Sequence, residues 1–383
     1  MKKIGLVLSG GGARGAYQVG VLSAIAEISR DLGLKNPFTV YSGVSAGAIN
    51  TAYLASGSKD FYETTQGLVD LWKNLTADQV FYTDPFSLGK MGIQWLEDIS
   101  LGRLKGRSVD RSLLDTSPLK DLLQNHINFD QIQRNIVSGK LRAAAVTAMD
   151  YQTTTGVTFV QGTEDVKMWS KPRRHSERTQ IRMEHVMASA AIPLLFPPVQ
   201  VAMSFYGDGC IRNQSPCGPA IDLGAQTLIV IGVRKTVDVL EYEAATHNRA
   251  DLLKPPSVAK VVNVLLNAVM LDGIEVDLER LEHINKIIQH MDLPHARHKN
   301  ASVIDYCLIS PSVDIAKVAQ EYSQRLPRII RYFIRAVGTL QDAKEIISYL
   351  LFEPEFCSRL IDIGYKDGIA QREHIERCLN QSA

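Results

Sequence analysis

The 383-residue sequence predicts an α/β fold, a three-layer α/β/α sandwich with a helical C-terminal extension. Three stretches carry that expectation. Ile4 to Leu8 is a short apolar run that reads as the first, central strand. After Ser9-Gly10-Gly11-Gly12-Ala13-Arg14-Gly15, the segment Ala16 to Ser29 sets Val19, Val21, Leu22, Ile25 and Ile28 at helical spacing. Phe38 to Tyr41 is β-branched and aromatic, as buried strands are, and Ala46 to Ala55 is alanine-rich with helical apolar spacing. Leu228 to Val233 is a further buried strand that closes the α/β core.

The remaining elements follow in order. Phe61 to Trp72 reads as a helix. Thr76 to Ser117 mixes Phe81, Tyr82, Phe86, Met91, Ile93, Trp95 and Leu96 with Gly89, Gly92, Gly102 and Gly106, which suits either an irregular insertion packed on the core or a lid. Ser117 starts a helix with Pro118 in its first turn. Leu141 to Ala148 and Val157 to Val160 read as a hairpin, and Lys171-Pro172-Arg173-Arg174-His175 as a basic loop. Val186 to Pro198 reads as a short helix ended by proline and then an apolar turn, and Tyr206 ends a strand. The expected division is a catalytic α/β domain over 1–235 and a mainly helical extension over 236–383. In the extension, Val258 to Met291, Val313 to Gly338, Ala343 to Ile363 and Gly368 to Leu379 read as helices, and 303–309 as a strand that can return to the sheet. Arg325, Arg328, Arg331 and Arg335 share an arc of about 120° at ~100° per residue. Such a face suits solvent, or an anionic membrane surface.

Two turns carry the chemistry. In Gly43-Val44-Ser45-Ala46-Gly47 a strand turns sharply into a helix, and small residues two before and two after the serine let the turn close. Ser45 then stands at a helix N-terminus, where backbone N–H groups favour developing negative charge. This is the geometry of a nucleophile elbow; the plainer alternative is a helix N-cap serine. The glycine loop Gly10 to Gly15 leaves N–H groups unshielded above the same sheet and reads as an oxyanion hole. Gly10-x-Gly12-x-x-Gly15 also fits a dinucleotide fingerprint, but the second strand ends in Ser42-Gly43-Val44-Ser45, not in the acidic residue that would hold a ribose. A phosphate-binding loop would need a Gly-Lys-Ser/Thr, and none follows. Asp208, in Tyr206-Gly207-Asp208-Gly209-Cys210, is either a hairpin-turn residue or a carboxylate base beside the serine.

The three motifs, in this order, resemble those of the patatin-like phospholipases. The resemblance runs from about Lys3 to Gly232 and includes the turn Ala188-Ser189-Ala190-Ala191-Ile192-Pro193 and the Asn213/Pro216 pair. It implies a mostly parallel central sheet and a Ser45–Asp208 dyad without a histidine. It also implies an oxyanion hole built from Gly10, Gly11, Gly12, Ala13, Arg14 and Gly15, and a lipid acyl ester as substrate, cleaved through an acyl-enzyme. The family usually carries glycine or alanine after the Asp-Gly pair, where this chain has Cys210. His185 is the histidine nearest a motif, and its helical setting marks it as structural.

Composition narrows the partners. The formal net charge is +1, so no global field favours nucleic acid. The five cysteines show no Cys-x-x-Cys pair and no zinc spacing, which suits reduced thiols in a cytoplasmic protein. With no metal-ligand cluster in the sequence, the expectation is chemistry without calcium and without a cofactor. The apolar run after Met1-Lys2-Lys3 is shorter than the ~7–15 residues of a signal segment, and no run approaches the ~18 needed to span a membrane. A cytoplasmic enzyme that meets membranes peripherally is expected. The alternative is a non-enzymatic lipid- or nucleotide-binding protein.

Overall fold

The computed structural model describes residues 3–57, 59–82, 114–213, 215–236, 255, 257–270, 273–290, 302–337, 339–340 and 342–380. In chain order the strands are β1 (Ile4–Leu8), β2 (Val40–Val44), β3 (Ala143–Asp150), β4 (Gly156–Gly162), β5 (Ser170–Lys171), β6 (Arg174–Arg178), β7 (Val199–Val201), β8 (Ser204–Asp208), β9 (Thr227–Ile231) and β10 (Asp305–Ile309). The helices are α1 (Gly15–Asp31), α2 (Ala46–Ala55), α3 (Phe61–Lys73), α4 (Ser117–His126), α5 (Phe129–Val137), α6 (Met183–Ser189), α7 (Gly218–Asp222), α8 (Val258–Met270), α9 (Gly273–His290), α10 (Ile315–Glu321), α11 (Arg328–Val337), α12 (Lys344–Leu350), α13 (Pro354–Ala370) and α14 (Arg372–Asn380).

The strands form one mixed sheet in the order β10-β9-β1-β2-β3-β4-β6-β5, with β8 pairing the far end of β3 and β7 pairing β8. Its centre is parallel: Leu6 lies opposite Tyr41 on one side and Ile229 on the other. Parallel neighbours need long crossovers, and here helices supply them, α1 between β1 and β2 and α2 to α5 between β2 and β3. Beyond β3 the pairing turns antiparallel, with Ala148 opposite both Val157 of β4 and Asp208 of β8.

Side chains alternate across the sheet and define three layers. Ile4, Leu6 and Leu8 join one apolar cluster with α1, α2 and α13. Val7, Val40, Leu228 and Val230 join another with α7 and α9. The C-terminal segment is part of both. β10 pairs β9 in parallel, with Cys307 opposite Ile229. α13 packs along α1, where methyl groups at Gly20 and Gly364 would overlap the carbonyl oxygens of Ile361 and Tyr17 respectively. Glycine at both crossing points lets the two backbones approach closely.

Several sequence expectations change in detail. Residues 171–175 are not a loop: β5 and β6 pair antiparallel across Pro172-Arg173, with Arg173 at φ 63°. The helix read over Ala343 to Ile363 breaks at 351–353, because Pro354 starts a new helix and disfavours helical conformation just before it. The strand read as ending at Tyr206 runs on to Asp208. Arg325 lies in a 3-10 turn ahead of α11 and pairs with Glu355 at 2.7 Å, so it is not on that helix. Of the insertion between Thr76 and Ser117, residues 83–113, including Phe86, Met91, Ile93, Trp95 and Leu96, lie outside the described residues. Phe81 is buried between Phe196 and Phe352. Among the described residues, no helix is long and apolar enough to cross a membrane.

Candidate active site

Open α/β sheets hold ligands beyond the carboxyl ends of their strands, where the strand order reverses. Here that point is the end of β1, flanked by β2 and β9, and the three motifs meet there. The loop after β1 runs through a 3-10 turn, Gly12–Arg14, directly into α1. Gly12 has φ 56°, a left-handed conformation that favours glycine. A methyl on Gly10 would overlap Cys210 Sγ and stand 3.0 Å from Ser45 Cβ, so the glycine loop, the serine and the residue after Asp208-Gly209 are in contact.

Ser45 occupies the turn between β2 and α2 with φ 55° and ψ −127°. A non-glycine residue held there stores about 1–3 kcal/mol of backbone strain. The surroundings enforce it. A methyl on Gly43 would overlap the Gly47 carbonyl, and one on Gly47 would overlap the carbonyls of Leu8 and Ser9. The Ser45 N–H donates to Ser189 Oγ at 2.9 Å, and Ser189 Oγ donates to the Thr147 carbonyl at 2.6 Å. Beneath the elbow lies a buried polar network. Gln18 Nε2 donates to the Ser9 carbonyl at 2.7 Å, Asn50 Nδ2 to Gln18 Oε1 at 3.0 Å, and Trp72 Nε1 to Asn50 Oδ1 at 2.8 Å.

Asp208 ends β8 and is fully buried. Its backbone N–H donates to the Ala191 carbonyl at 2.8 Å. Its Oδ1 accepts from the Cys210 N–H at 2.9 Å, whereas Oδ2 is buried and accepts no hydrogen bond. Burial pushes its pKa up from 3.8 to about 6, against the lowering pull of the Ser45 hydroxyl and of Cys210. The same burial raises the Cys210 thiol well above its ordinary range, so Cys210 stays a neutral thiol. A methyl on Gly209 would overlap the Thr147 carbonyl, which fixes how closely this turn crosses β3. His185, on α6, accepts the Arg182 N–H at 3.0 Å through Nδ1 and packs edge-on to Phe159 at 4.5 Å, a structural setting.

Ser45 and Gly12 stand in the wall of a narrow pocket whose other walls are almost entirely apolar. Ile49, Leu71 and Leu75 form one side, and Ile192, Phe196 and Phe352 another. Nothing local in the sequence signals Phe352, because it arrives from the far end of the chain. The same holds for the partners of Arg14. Its Nε donates to Ser348 Oγ at 2.8 Å, Nη1 donates to the Val233 carbonyl at 3.4 Å, and Nη2 pairs with Glu345, while the guanidinium lies 4.9 Å from the Tyr349 ring centre.

Among solved structures, the chain is similar to VipD from Legionella pneumophila, with 15% identity over 100% of this chain and 67% of that one and a TM-score of 0.35. It is similar to human GIVD cytosolic phospholipase A2 in complex with methyl gamma-linolenyl fluorophosphonate, with 13% identity, 100% and 59% coverage and a TM-score of 0.44. It is also similar to ExoU from the type III secretion system of Pseudomonas aeruginosa, seen in complex with SpcU, with 14% identity, 75% and 62% coverage and a TM-score of 0.28. The chain thus spans 59–67% of the length of these proteins. No curated protein matches it. The family model of the patatin-like phospholipases matches residues 6–221, more than half of the chain and all three motifs, and the chain belongs to that family.

Proposed function

We propose that the protein hydrolyses lipid acyl esters through an acyl-enzyme on Ser45, with Asp208 as its base. Membership of a phospholipase family supports the reaction class. The observation that carries the reading is the position of Ser45, strained at the tip of its elbow and facing a narrow pocket with the apolar lining an acyl chain needs.

The chemistry follows from the surroundings. Asp208 accepts the Ser45 proton as Oγ attacks the acyl carbonyl carbon. The oxyanion forms toward the N–H groups of Gly11 and Gly12, at the positive end of α1. The C–O bond to the leaving alcohol breaks, and Asp208 returns the proton to that oxygen. A water then gives its proton to Asp208, attacks the acyl-enzyme and releases the fatty acid, and the proton goes back to Ser45. A free aspartate is a weak base at neutral pH; a pKa of about 6 brings Asp208 closer to the operating range. The Ser45 hydroxyl already bears on the buried carboxyl, drawing its pKa down against burial, and that proximity supports the role. Hydrogen bonds of this kind often close only once substrate is bound.

The test is covalent labelling with a long-chain fluorophosphonate and mapping of the adduct. Wild type is expected to label at Ser45 and to hydrolyse phospholipid or lysophospholipid vesicles, and Ser45→Ala to do neither. Labelling at another residue, or unchanged turnover in Ser45→Ala, rejects the reading. Lipid binding without turnover across a broad ester panel would identify a binding protein.

A further inference from the structure

The glycine loop belongs to the first fifteen residues, yet its only cation is held by the far end of the chain. Arg14 is 2% exposed and Glu345, 331 residues away, is 8% exposed. We propose that Glu345 is a positioning residue for the oxyanion loop, fixing the Gly11 and Gly12 N–H groups through the Arg14 side chain with the help of Ser348. This inference rests on the acyl-hydrolase reading above.

Three contacts on α12 converge on the loop. Glu345 takes the Arg14 Nη2, Ser348 takes Nε, and the Tyr349 carbonyl lies where a Cβ on Gly12 would be. The loop therefore rests directly on α12 backbone at Gly12 and is tied to α12 side chains two residues later. The backbone N–H of Arg14 donates to the Gly11 carbonyl at 3.1 Å, so the residue that carries the guanidinium also closes the turn that orients the glycine N–H groups. α12 is in turn anchored. The Glu345 N–H donates to Asn263 Oδ1 of α8 at 3.0 Å, and Ser348 Oγ donates to the Glu345 carbonyl at 2.6 Å.

A buried ion pair is a poor source of net stability, because desolvation offsets most of the attraction, but it specifies geometry where several donors are fixed in a fork. The Arg14 fork has an acceptor for each of its three nitrogens: a carboxylate, a hydroxyl and the Val233 carbonyl at the end of β9. A loop that must present two N–H groups within a few tenths of an ångström uses such a clamp. Glu345 and Ser348 lie outside residues 6–221, so the clamp comes from a part of the chain that the family model does not match.

The experiment compares Glu345→Gln, which keeps size and an acceptor but removes the charge, with wild type and with Glu355→Gln, which alters an exposed pair with Arg325 nearby. Turnover of a soluble nitrophenyl ester, the rate of Ser45 labelling by a fluorophosphonate and the melting temperature are read together on the full chain. For Glu345→Gln, kcat and labelling rate are expected to fall together by about 10²-fold, the usual effect of small misplacement, with KM within threefold. Glu355→Gln is expected to match wild type. If Glu345→Gln does not fold, Ser348→Ala removes the two hydrogen bonds of the Ser348 hydroxyl but leaves the Arg14–Glu345 pair in place, and is expected to lose about 10-fold in kcat. Folded Glu345→Gln with kcat and labelling within twofold of wild type overturns the inference, as does wild-type kcat in Ser348→Ala or an equal loss in Glu355→Gln. If wild type itself neither turns over ester nor labels, the hydrolase reading fails first, and that outcome is distinct from every variant result.

Discussion

Ser189 ties together the two halves of the candidate dyad. Its hydroxyl accepts the Ser45 N–H at 2.9 Å and donates to the Thr147 carbonyl at 2.6 Å, while two residues on the Ala191 carbonyl accepts the Asp208 N–H at 2.8 Å. One short turn at the end of α6 thus braces the serine that follows β2 and the aspartate that ends β8, two strands separated by β3. The brace is buried.

Ser189→Ala leaves the Ser45 N–H and the Thr147 carbonyl unpaired in the core. The expected cost is about 1–3 kcal/mol of stability. Because the lost bond holds Ser45 in its strained conformation, kcat per folded molecule should also fall by about 10-fold. Denaturant unfolding and turnover on the same preparation check both. A stability loss with unchanged kcat would show that the brace only supports packing.

The apolar cavity predicts chain-length selectivity. Ile49 lines it one helical turn from Ser45. Ile49→Trp narrows that wall and leaves the residues of the dyad and the glycine loop unchanged. Specificity toward esters of long acyl chains should drop at least about 10-fold, the scale of a blocked hydrophobic subsite. Acetyl and butyryl esters should change less than threefold. Equal loss across all chain lengths would place the acyl chain elsewhere.

The glycines at the α1–α13 crossing predict a stability effect without a catalytic one. Gly364→Ala drives a methyl toward the Tyr17 carbonyl, a backbone atom that cannot move aside. Overpacking of this kind costs about 1–3 kcal/mol. The unfolding midpoint should fall, with kcat per folded enzyme unchanged. A matching loss of kcat would mean that α13 transmits its position to the loop at the start of α1.

What was legible in the sequence follows from how local each feature is. The elbow and the glycine loop are read from a few adjacent residues, because small residues around a sharp turn are a local steric requirement, and both turns stand where that reading puts them. The parallel centre follows from strand–helix alternation. Asp208 is a different case. Asp-Gly looks like an exposed turn, and only the closing of β8 on β3 and the α6 turn buries it completely. Phe352, Glu345 and Ser348 carry no local signal at all, since their roles arise from contacts with residues more than 270 positions away. The break before Pro354 was legible, and apolar periodicity masked it. The basic run at 171–175 reads as a loop because its charges hide the alternation of a solvent-facing edge hairpin.

The buried carboxyl of Asp208 predicts opposite effects on activity and on stability. Its folded pKa is about 6 and its ordinary value 3.8. In the proposed role of base it must be ionised, so kcat/KM should fall tenfold per pH unit below about 6. For stability the sign is reversed. The folded state holds the proton more tightly than the unfolded chain between about pH 4 and 6, so the benefit of the neutral carboxyl is complete below that window and is lost as pH rises through it. By neutral pH the ionised, buried group costs about 3 kcal/mol. Asp208→Asn keeps the shape and an acceptor for the Cys210 N–H but has no charge to bury. Turnover should fall by about 10²–10⁴-fold and the acidic limb of the profile should vanish. The melting temperature should rise above wild type at pH 7 to 8, and the gap should close near pH 4. If Asp208 only capped the turn, the variant would keep near-normal turnover with its acidic limb intact. In that case the base would have to be sought among the histidines.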